Sequence, residues 1–344
     1  MTDESEAAAD GCLPAGRAPM RRALELAGSA RLRSSPNPWV GCVIVPVDSR
    51  KGSASEVFEG ATEAPGARHA EQVALDAAGA RARGATLYTT LEPCAHHGRT
   101  EPCVDAIVRA GVARVVVGMV DPDVKVSGRG IEALARAGID VEVGVMANEV
   151  AEQLAPYVKH RTSGRPFVVL KLALSLDGRI AARDRSSRWI TGDAARADVH
   201  RLRAVSDAVL VGAGTIRADD PELSARTDPP PERQPLRVVL GCAPDEARAQ
   251  PLVELSGDLG SVLDDLGRRG VLQVLVEGGA TVAHGFHSAG LVDRYVLYVA
   301  PVFFGGDDGV PAFAGPGAGS MDALWRGRFV SVTELGGDLR IEVA

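Results

Sequence analysis

Apolar residues recur along the chain at two spacings, and the alternation between them sets out an architecture. From Met20, the residues Ala23, Leu24, Leu26 and Ala27 fall at helical spacing, and the pattern stops at the turn-rich SSPNP. The unbroken apolar run VGCVIVPV predicts a buried strand. Val73, Ala74, Ala77 and Ala78 then predict a helix over 69–79, closed by Gly79. Beyond it, ATLYTT, RVVVGMV and DVEVGV read as strands, separated by helices near 103–110 and 129–137 that end at Gly111 and Gly138. Strands and helices alternating at this interval predict a mostly parallel, layered α/β domain.

A short helical passage at 147–158 leads into KHRTSGRP, whose charge, glycine and proline predict a linker. A second set of strands follows: FVVLKLALSLDG, AVLVGAG, LRVVLG, QVLVEGG and RYVLYVAPVFF. Helical segments near 193–204 and 280–289 lie between some of them, which predicts another α/β domain. The expected organisation is a disordered acidic tail over 1–16, one domain over 17–158 and a second over 159–344.

Composition narrows the class of partner. The 344 residues are 45% apolar and 24% charged, as in an ordinary globular protein. No apolar run approaches the roughly 18 residues of a membrane span, and the N-terminus is acidic where an export signal is basic and then apolar. A cytoplasmic protein without a membrane partner is expected. The net charge of −7 is mostly the tail, where Asp3, Glu4, Glu6 and Asp10 stand without a compensating base. Residues 1–158 and 159–344 carry −5 and −2, so neither half has the basic excess that a phosphate backbone demands. A small molecule is the expected partner, and nucleic acid is not. Five cysteines, an odd number, point to metal or catalytic thiols rather than a disulfide framework.

The sharpest chemical signal is His69-Ala70-Glu71 followed by Pro93-Cys94 and Cys103. One imidazole and two thiolates suit zinc, and three protein ligands leave a fourth position for water. Glu71 supplies a proton carrier beside that water, whose pKa zinc lowers toward about 7. Taken singly, each residue reads as an ordinary buried side chain. A closed structural zinc, completed by His96 or His97, is a further reading, and it leaves Glu71 without a role. In the second half, Gly212-Ala213-Gly214 lacks the third glycine of a dinucleotide fingerprint. Glu277-Gly278-Gly279-Ala280-Thr281 is a better anion site, because a strand ends in two glycines before a helix start. Arg203 and Arg226 are candidate phosphate clamps by the fork of their guanidinium groups.

The segments PNPWVGCVIV, HAEQVAL, GATLYTTLEPCAHHGRTEPC and DPDVKVSGRG resemble the deaminase half of the bifunctional riboflavin-biosynthesis deaminase/reductases. KLALSLDGRIAARDRSSRWITG, ADVHRLRAVSDAVLVGAGTIRADDPEL and VLVEGGATVAHGF resemble the reductase half of the same family. The resemblance implies a cytidine-deaminase-like three-layer domain followed by a dihydrofolate-reductase-like α/β domain, with one zinc per chain, NADPH and a homo-oligomer. It implies His69, Cys94 and Cys103 as zinc ligands, Glu71 as proton shuttle, and Asn37, His96, Arg99 and Asp121 as contacts to a phosphorylated pyrimidine. For the reductase it implies Lys171, Ser187, Arg203, Leu223, Arg226 and Glu277 at the substrate. Ala173, Trp189, Thr215, Asp219 and the turn Gly279, Ala280, Thr281, Val282, Ala283, His284 and Gly285 are implied at NADPH.

Several positions depart from the family pattern. Asp123 stands in place of Asn, Glu101 of Pro, Arg185 of Gly, Gly241-Cys242 of Asp-Ser, and Arg294 of an acidic residue; Ala243 to Gly260 is short for the strand usual there. The implied chemistry is hydrolytic deamination of 2,5-diamino-6-ribosylamino-4(3H)-pyrimidinone 5′-phosphate, then reduction of the ribosyl side chain, with Lys171 or Asp177 open as proton donor. The rival expectations are an RNA nucleobase deaminase, and a working deaminase whose second domain only binds nucleotide.

Overall fold

The computed structural model describes residues 16–47, 56–96 and 101–344, so the acidic tail expected to be disordered lies outside the described residues, apart from Gly16. The chain divides in sequence between Thr162 and Ser163 into two compact units. The first contains α1 (Arg17–Ser34), β1 (Gly41–Val45), β2 (Phe58–Ala61), α2 (Ala70–Ala78), β3 (Thr86–Leu91), α3 (Cys103–Ala110), β4 (Arg114–Met119), α4 (Arg129–Arg136), β5 (Asp140–Val143), α5 (Ala147–Gln153) and α6 (Ala155–Ser163). Its sheet has the order β2-β1-β3-β4-β5.

Only β3, β4 and β5 run parallel; β1 pairs antiparallel with both β2 and β3. The mostly parallel expectation fails on this side because β2, in the sequence FEGA, carries no alternation long enough to announce a strand. Helix α1 packs on the sheet through Met20 and Ala23 against Val43 and Val116, and α5 packs beside β4. Helix α2 packs beside β2 and α3 beside α2. The close seat of α2 depends on Gly60 in β2, where a Cβ would lie 2.1 Å from the Ala70 carbonyl oxygen and 2.6 Å from the Ala74 nitrogen.

The expected linker is mostly helix. Helix α6 continues through Ser163, its Val158 amide bonded back to Leu154, and Gly164, with φ of 75°, breaks it.

The second unit holds β6 (Phe167–Ser175), β7 (Arg179–Ala181), α7 (Asp193–Ala204), β8 (Ala208–Gly212), α8 (Ala213–Asp219), β9 (Leu236–Leu240), β10 (Val253–Leu255), α9 (Leu259–Arg268), β11 (Gln273–Val276), α10 (Ala280–Ser288), β12 (Arg294–Ala300), β13 (Val310–Pro311), β14 (Phe329–Leu335) and β15 (Asp338–Val343). Its eight-stranded sheet runs β10-β9-β8-β11-β6-β12-β15-β14, parallel as far as β12 and antiparallel through the final hairpin. Alternation along β6 sends Val168, Leu170, Leu172 and Leu174 into a core shared with α9 and α10, and Val169 into one shared with α7 and α8. Helices therefore cover both faces.

Seven elements of this unit lie beyond the expected set: β7, α8, β10, α9, β13, β14 and β15. Strand β10 does form within the short 243–260 segment, pairing with β9. Helix α9 is capped by Asp258, whose side chain accepts the Ser261 amide, and it buries Val262, Leu263 and Leu266 at helical spacing. The hairpin of β14 and β15 turns on Gly336-Gly337, both at positive φ. Among the described residues no helix is long and apolar enough to cross a membrane.

Gly60→Ala tests the seat of α2. Neither the helix backbone nor the strand can yield without losing packing, so the variant should be destabilised by about 1–3 kcal/mol in denaturant unfolding. An unchanged midpoint would mean the approach is looser than 2.1 Å implies.

Candidate active sites

In the first unit, two helix starts and one strand end bring the sulfur and nitrogen donors together. His69 is the residue before α2, Cys94 lies just past β3, and Cys103 opens α3. His69 Nδ1 lies 3.6 Å from Cys94 Sγ and 3.3 Å from Cys103 Sγ, and the three donor atoms all fall within 4.8 Å of one another. The Cys103 amide donates to Cys94 Sγ at 3.4 Å. Hydrogen bonding from Cys103, then from His69, pulls the Cys94 thiol well below its ordinary range. The bond with Cys94, together with burial, pushes Cys103 well up. One thiolate is thus already favoured, at helix N-termini that welcome negative charge. Imidazole plus two sulfurs is a donor set that fits zinc in an open, three-ligand site. His96 is not among the clustered donors, and His97 lies outside the described residues.

Glu71, in the first turn of α2, is 3% exposed. Its carboxylate accepts from Thr89 Oγ1 at 3.4 Å and from Cys103 Sγ at 3.5 Å. Burial pushes its pKa up. A carboxyl group held this way can both accept and release a proton. His69, Glu71 and Cys94 face a cavity of about 550 Å³, which Asn37, His96 and Asp121 also line. Of the expected substrate contacts only Arg99 is missing from this set, because it lies outside the described residues.

Sequence reasoning missed Glu92, Tyr157 and Arg161, all in the cavity wall. Glu92 is buried, and its carboxylate accepts the amides of Asp121, Gly128, Gly130 and Ile131 at 3.2, 2.9, 2.8 and 3.4 Å. It thereby fixes the loop before α4 against the turn that carries Cys94. A Cβ at Gly130 would sit 2.0 Å from the Pro93 carbonyl oxygen, so only glycine permits this approach. The one local hint was the position of Glu92 beside Pro93-Cys94. Tyr157 and Arg161 lay in the expected helix tail and linker, with nothing local to mark them. Asp123 also lines the cavity; its carboxylate caps the Lys125 amide at 3.0 Å and lies 3.9 Å from Arg161. Glu101 pairs with Arg109 at 2.5 Å.

The second unit assembles a charged cluster at the carboxyl end of its parallel strands. Arg203 of α7 grips Glu277, just past β11, through two bonds of 2.6 and 3.0 Å, and Lys171 Nζ of β6 stands 3.7 Å from the same carboxylate. Burial lowers the Lys171 pKa. Against its own burial, Glu277 is held low by Arg203 and then Lys171. Arg203 also donates to the Ser224 carbonyl at 3.1 Å, and His200 Nδ1 lies 3.2 Å from that oxygen. This holds the loop in which Leu223 adopts φ of 54° and Arg226 bonds Glu222 at 2.6 Å. The Leu223 side chain is buried in the core, so a substrate can meet only its backbone.

Gly279 precedes α10, and a Cβ there would meet nothing closer than Thr215 Oγ1 at 4.0 Å. Open backbone at the start of a nine-residue helix fits the pyrophosphate of a dinucleotide. Val282 and Ala283 of that turn pack against the core, and the His284 ring lies against Gly315. Trp189 is 69% exposed, with the Arg196 guanidinium 4.6 Å from its ring. Asp219 ends α8 and accepts from Arg188 through its carbonyl, while Ala173 shares the Lys171 face of β6 and Ser187 is half-buried. Arg294 pairs with Glu342 at 2.9 Å, and Arg185 takes φ of 68°. Asp177 is anchored by three hydrogen-bond donors. Bonds from Ser175 at 2.6 Å and from the Gly305 and Phe304 amides hold its carboxyl at about 2.

Comparison with known proteins agrees with this geometry. Residues 16–119 match the model of the cytidine and deoxycytidylate deaminase zinc-binding region, and residues 166–341 match that of the RibD C-terminal domain. The riboflavin biosynthesis protein RibD of Escherichia coli is 40% identical over 84% of this chain and 88% of its own length. That of Mycobacterium tuberculosis is 41% identical, over 94% and 96%. The structure of Acinetobacter baumannii RibD aligns with a TM-score of 0.87 at 37% identity, over 95% of this chain and 98% of that one. A Thermotoga maritima diaminohydroxyphosphoribosylaminopyrimidine deaminase/5-amino-6-(5-phosphoribosylamino)uracil reductase gives 0.84 at 34%, over 95% and 97%.

Fold and sites together define a zinc-dependent deaminase domain of the cytidine-deaminase class joined to a reductase domain. The chain belongs to the RibD family of bifunctional riboflavin-biosynthesis enzymes, whose two steps draw on zinc and NADPH.

Two measurements follow. Purified protein should contain about one zinc per chain by elemental analysis, and Cys103→Ser should lose most of it; full retention would remove Cys103 from the ligand set. Glu92→Gln turns an amide nitrogen toward backbone donors and should cost about 1.5–3 kcal/mol in unfolding while zinc stays bound.

Proposed function

We propose that the first unit removes the 2-amino group of 2,5-diamino-6-ribosylamino-4(3H)-pyrimidinone 5′-phosphate and that the second reduces the ribosyl chain of the product, giving 5-amino-6-(5-phosphoribitylamino)uracil. The observation that carries the first half is Glu71, a buried carboxyl with raised pKa, facing the same cavity as His69 and Cys94. His69, Cys94 and Cys103 would hold zinc, which when bound supplies Lewis-acid activation of water at neutral pH. Glu71 takes the proton of the attacking water and delivers it to the departing nitrogen. A C–O bond forms at the ring carbon, the C–N bond breaks, and ammonia leaves. Asn37, His96 and Asp121 orient the ring from the cavity wall. Arg99 completes the substrate contacts implied by the family.

In the second half, NADPH when bound supplies a hydride to the ribosyl carbon of the open-chain imine. The backbone at Gly279–Thr281, with Thr215, Ala173, Trp189 and Asp219, forms the cofactor side. Lys171 is the proton donor, since burial brings its ammonium closer to releasing a proton. Arg203 and Glu277 hold Lys171 in place, and Ser187, the Leu223 backbone and Arg226 complete the substrate side. The domain limits at 17–158 and 159–344, a cytoplasmic location, a homo-oligomer and the absence of a nucleic-acid partner belong to the same reading. Four carboxylates in the cavity wall, Glu71, Glu92, Asp121 and Asp123, favour a small molecule over a polyanion.

Incubation of the full chain with the diaminopyrimidine, followed by mass analysis, tests both steps. Without NADPH, one amino group should be exchanged for oxygen; with NADPH, two hydrogens should be added as well. Glu71→Gln should keep its zinc and lose about 100- to 10,000-fold of the deamination rate. Retained deamination would sink the mechanism. NADPH bound but never oxidised in the presence of the deaminated product would reduce the second unit to a nucleotide-binding module.

A further inference from the structure

The cavity of the first unit has an uneven charge distribution. Among its described lining residues, Arg161 is the one Lys or Arg, set against four carboxylates. Two of these, Glu71 and Asp121, are buried and bonded to Thr89 and Tyr157, and Glu92 is occupied by four backbone amides. Asp123 remains, and its Oδ2 stands 3.9 Å from Arg161 Nε, too far for a hydrogen bond. The guanidinium is therefore close to its neighbouring charge without being committed to it.

Its place is nonetheless built. Arg161 lies on α6, one turn beyond Tyr157, with its guanidinium carbon 5.1 Å from the Tyr157 ring centre. The Tyr157 hydroxyl is fastened to both carboxylate oxygens of Asp121, at 3.2 and 3.3 Å. The ring is 3% exposed and so forms a fixed platform, against which a planar cation keeps its orientation. The Arg161 side chain is 31% exposed, open enough to receive a ligand.

We propose that Arg161 is the determinant by which the deaminase cavity distinguishes a phosphorylated from a dephosphorylated pyrimidine nucleoside, its guanidinium bonding the phosphate while Tyr157 holds it in place. The inference rests on the proposed deaminase reading and adds a residue from α6, at the far end of the unit's chain, to the substrate contacts. A monoester dianion matches the guanidinium fork. It also outcompetes the Asp123 carboxylate, which sits beyond hydrogen-bond distance.

The test compares deamination of the 5′-phosphorylated pyrimidine and of its phosphatase-treated nucleoside by zinc-loaded full-length protein and by Arg161→Gln and Arg161→Lys. The wild type should prefer the phosphorylated form in kcat/KM. Arg161→Gln should shrink that preference about 10- to 100-fold, as expected for a lost bond to a charged group. The loss should lie mainly in KM, and Arg161→Lys should restore part of it. Inorganic phosphate should compete with substrate in the wild type and much less in Arg161→Gln. A preference unchanged in Arg161→Gln, at unchanged zinc content, overturns the inference while leaving the deaminase reading intact. A wild type that deaminates neither compound overturns both.

Discussion

The deaminase half depends on one buried carboxylate. Glu92 follows β3, precedes the turn that carries Cys94, and accepts four amides from the segment 121–131. A carboxylate out of water is costly unless its lone pairs are filled, and here backbone donors fill them. In filling them, the loop before α4 is brought against the Cys94 turn closely enough that position 130 must be glycine. The cavity wall at Asp121, Asp123 and Val126 then has a defined place relative to the His69, Cys94 and Cys103 cluster. The same contact that stabilises the loop shapes the site.

The second unit solves a related problem with opposite charges. Glu277 is buried, and it stays ionised because Arg203 grips it through both oxygens and Lys171 stands nearby. Breaking such a pair by removing one partner is expensive, since the other charge is left without compensation. The arrangement ties β6, β11 and α7 together where the parallel strands end, beside the open backbone of Gly279. Its by-product is a lysine whose proton is more easily released. Positioning and acidity come from one cluster.

Much of this was legible in the chain. Long apolar runs such as VGCVIV and FVVLKLALS could only be buried strands, and the spacing of His69, Glu71, Cys94 and Cys103 marked a metal and a proton carrier before any coordinates. What escaped had specific causes. FEGA is too short to show a period, so β2 and its antiparallel pairing were invisible. The last hairpin and α9 do carry local signals, in Gly336-Gly337 and in Asp258 ahead of Leu259, Val262, Leu263 and Leu266. Asp177 stood beside Lys171 as an open choice of proton donor; its three hydrogen-bond donors become visible only in the fold.

The sequence by itself determined the class of chemistry, because zinc ligands and a neighbouring carboxyl are matters of residue type and short spacing. It also determined most elements, because periodicity is local. Tertiary structure alone decided which distant side chains share a cavity. Tyr157 and Arg161 lie more than fifty residues from Cys103, in a stretch with the composition of a linker, and they reach the site only because α6 packs there. It decided, too, that Val282, Ala283 and the Leu223 side chain pack against the core. Burial and proximity are properties of the folded chain, and no local pattern encodes them.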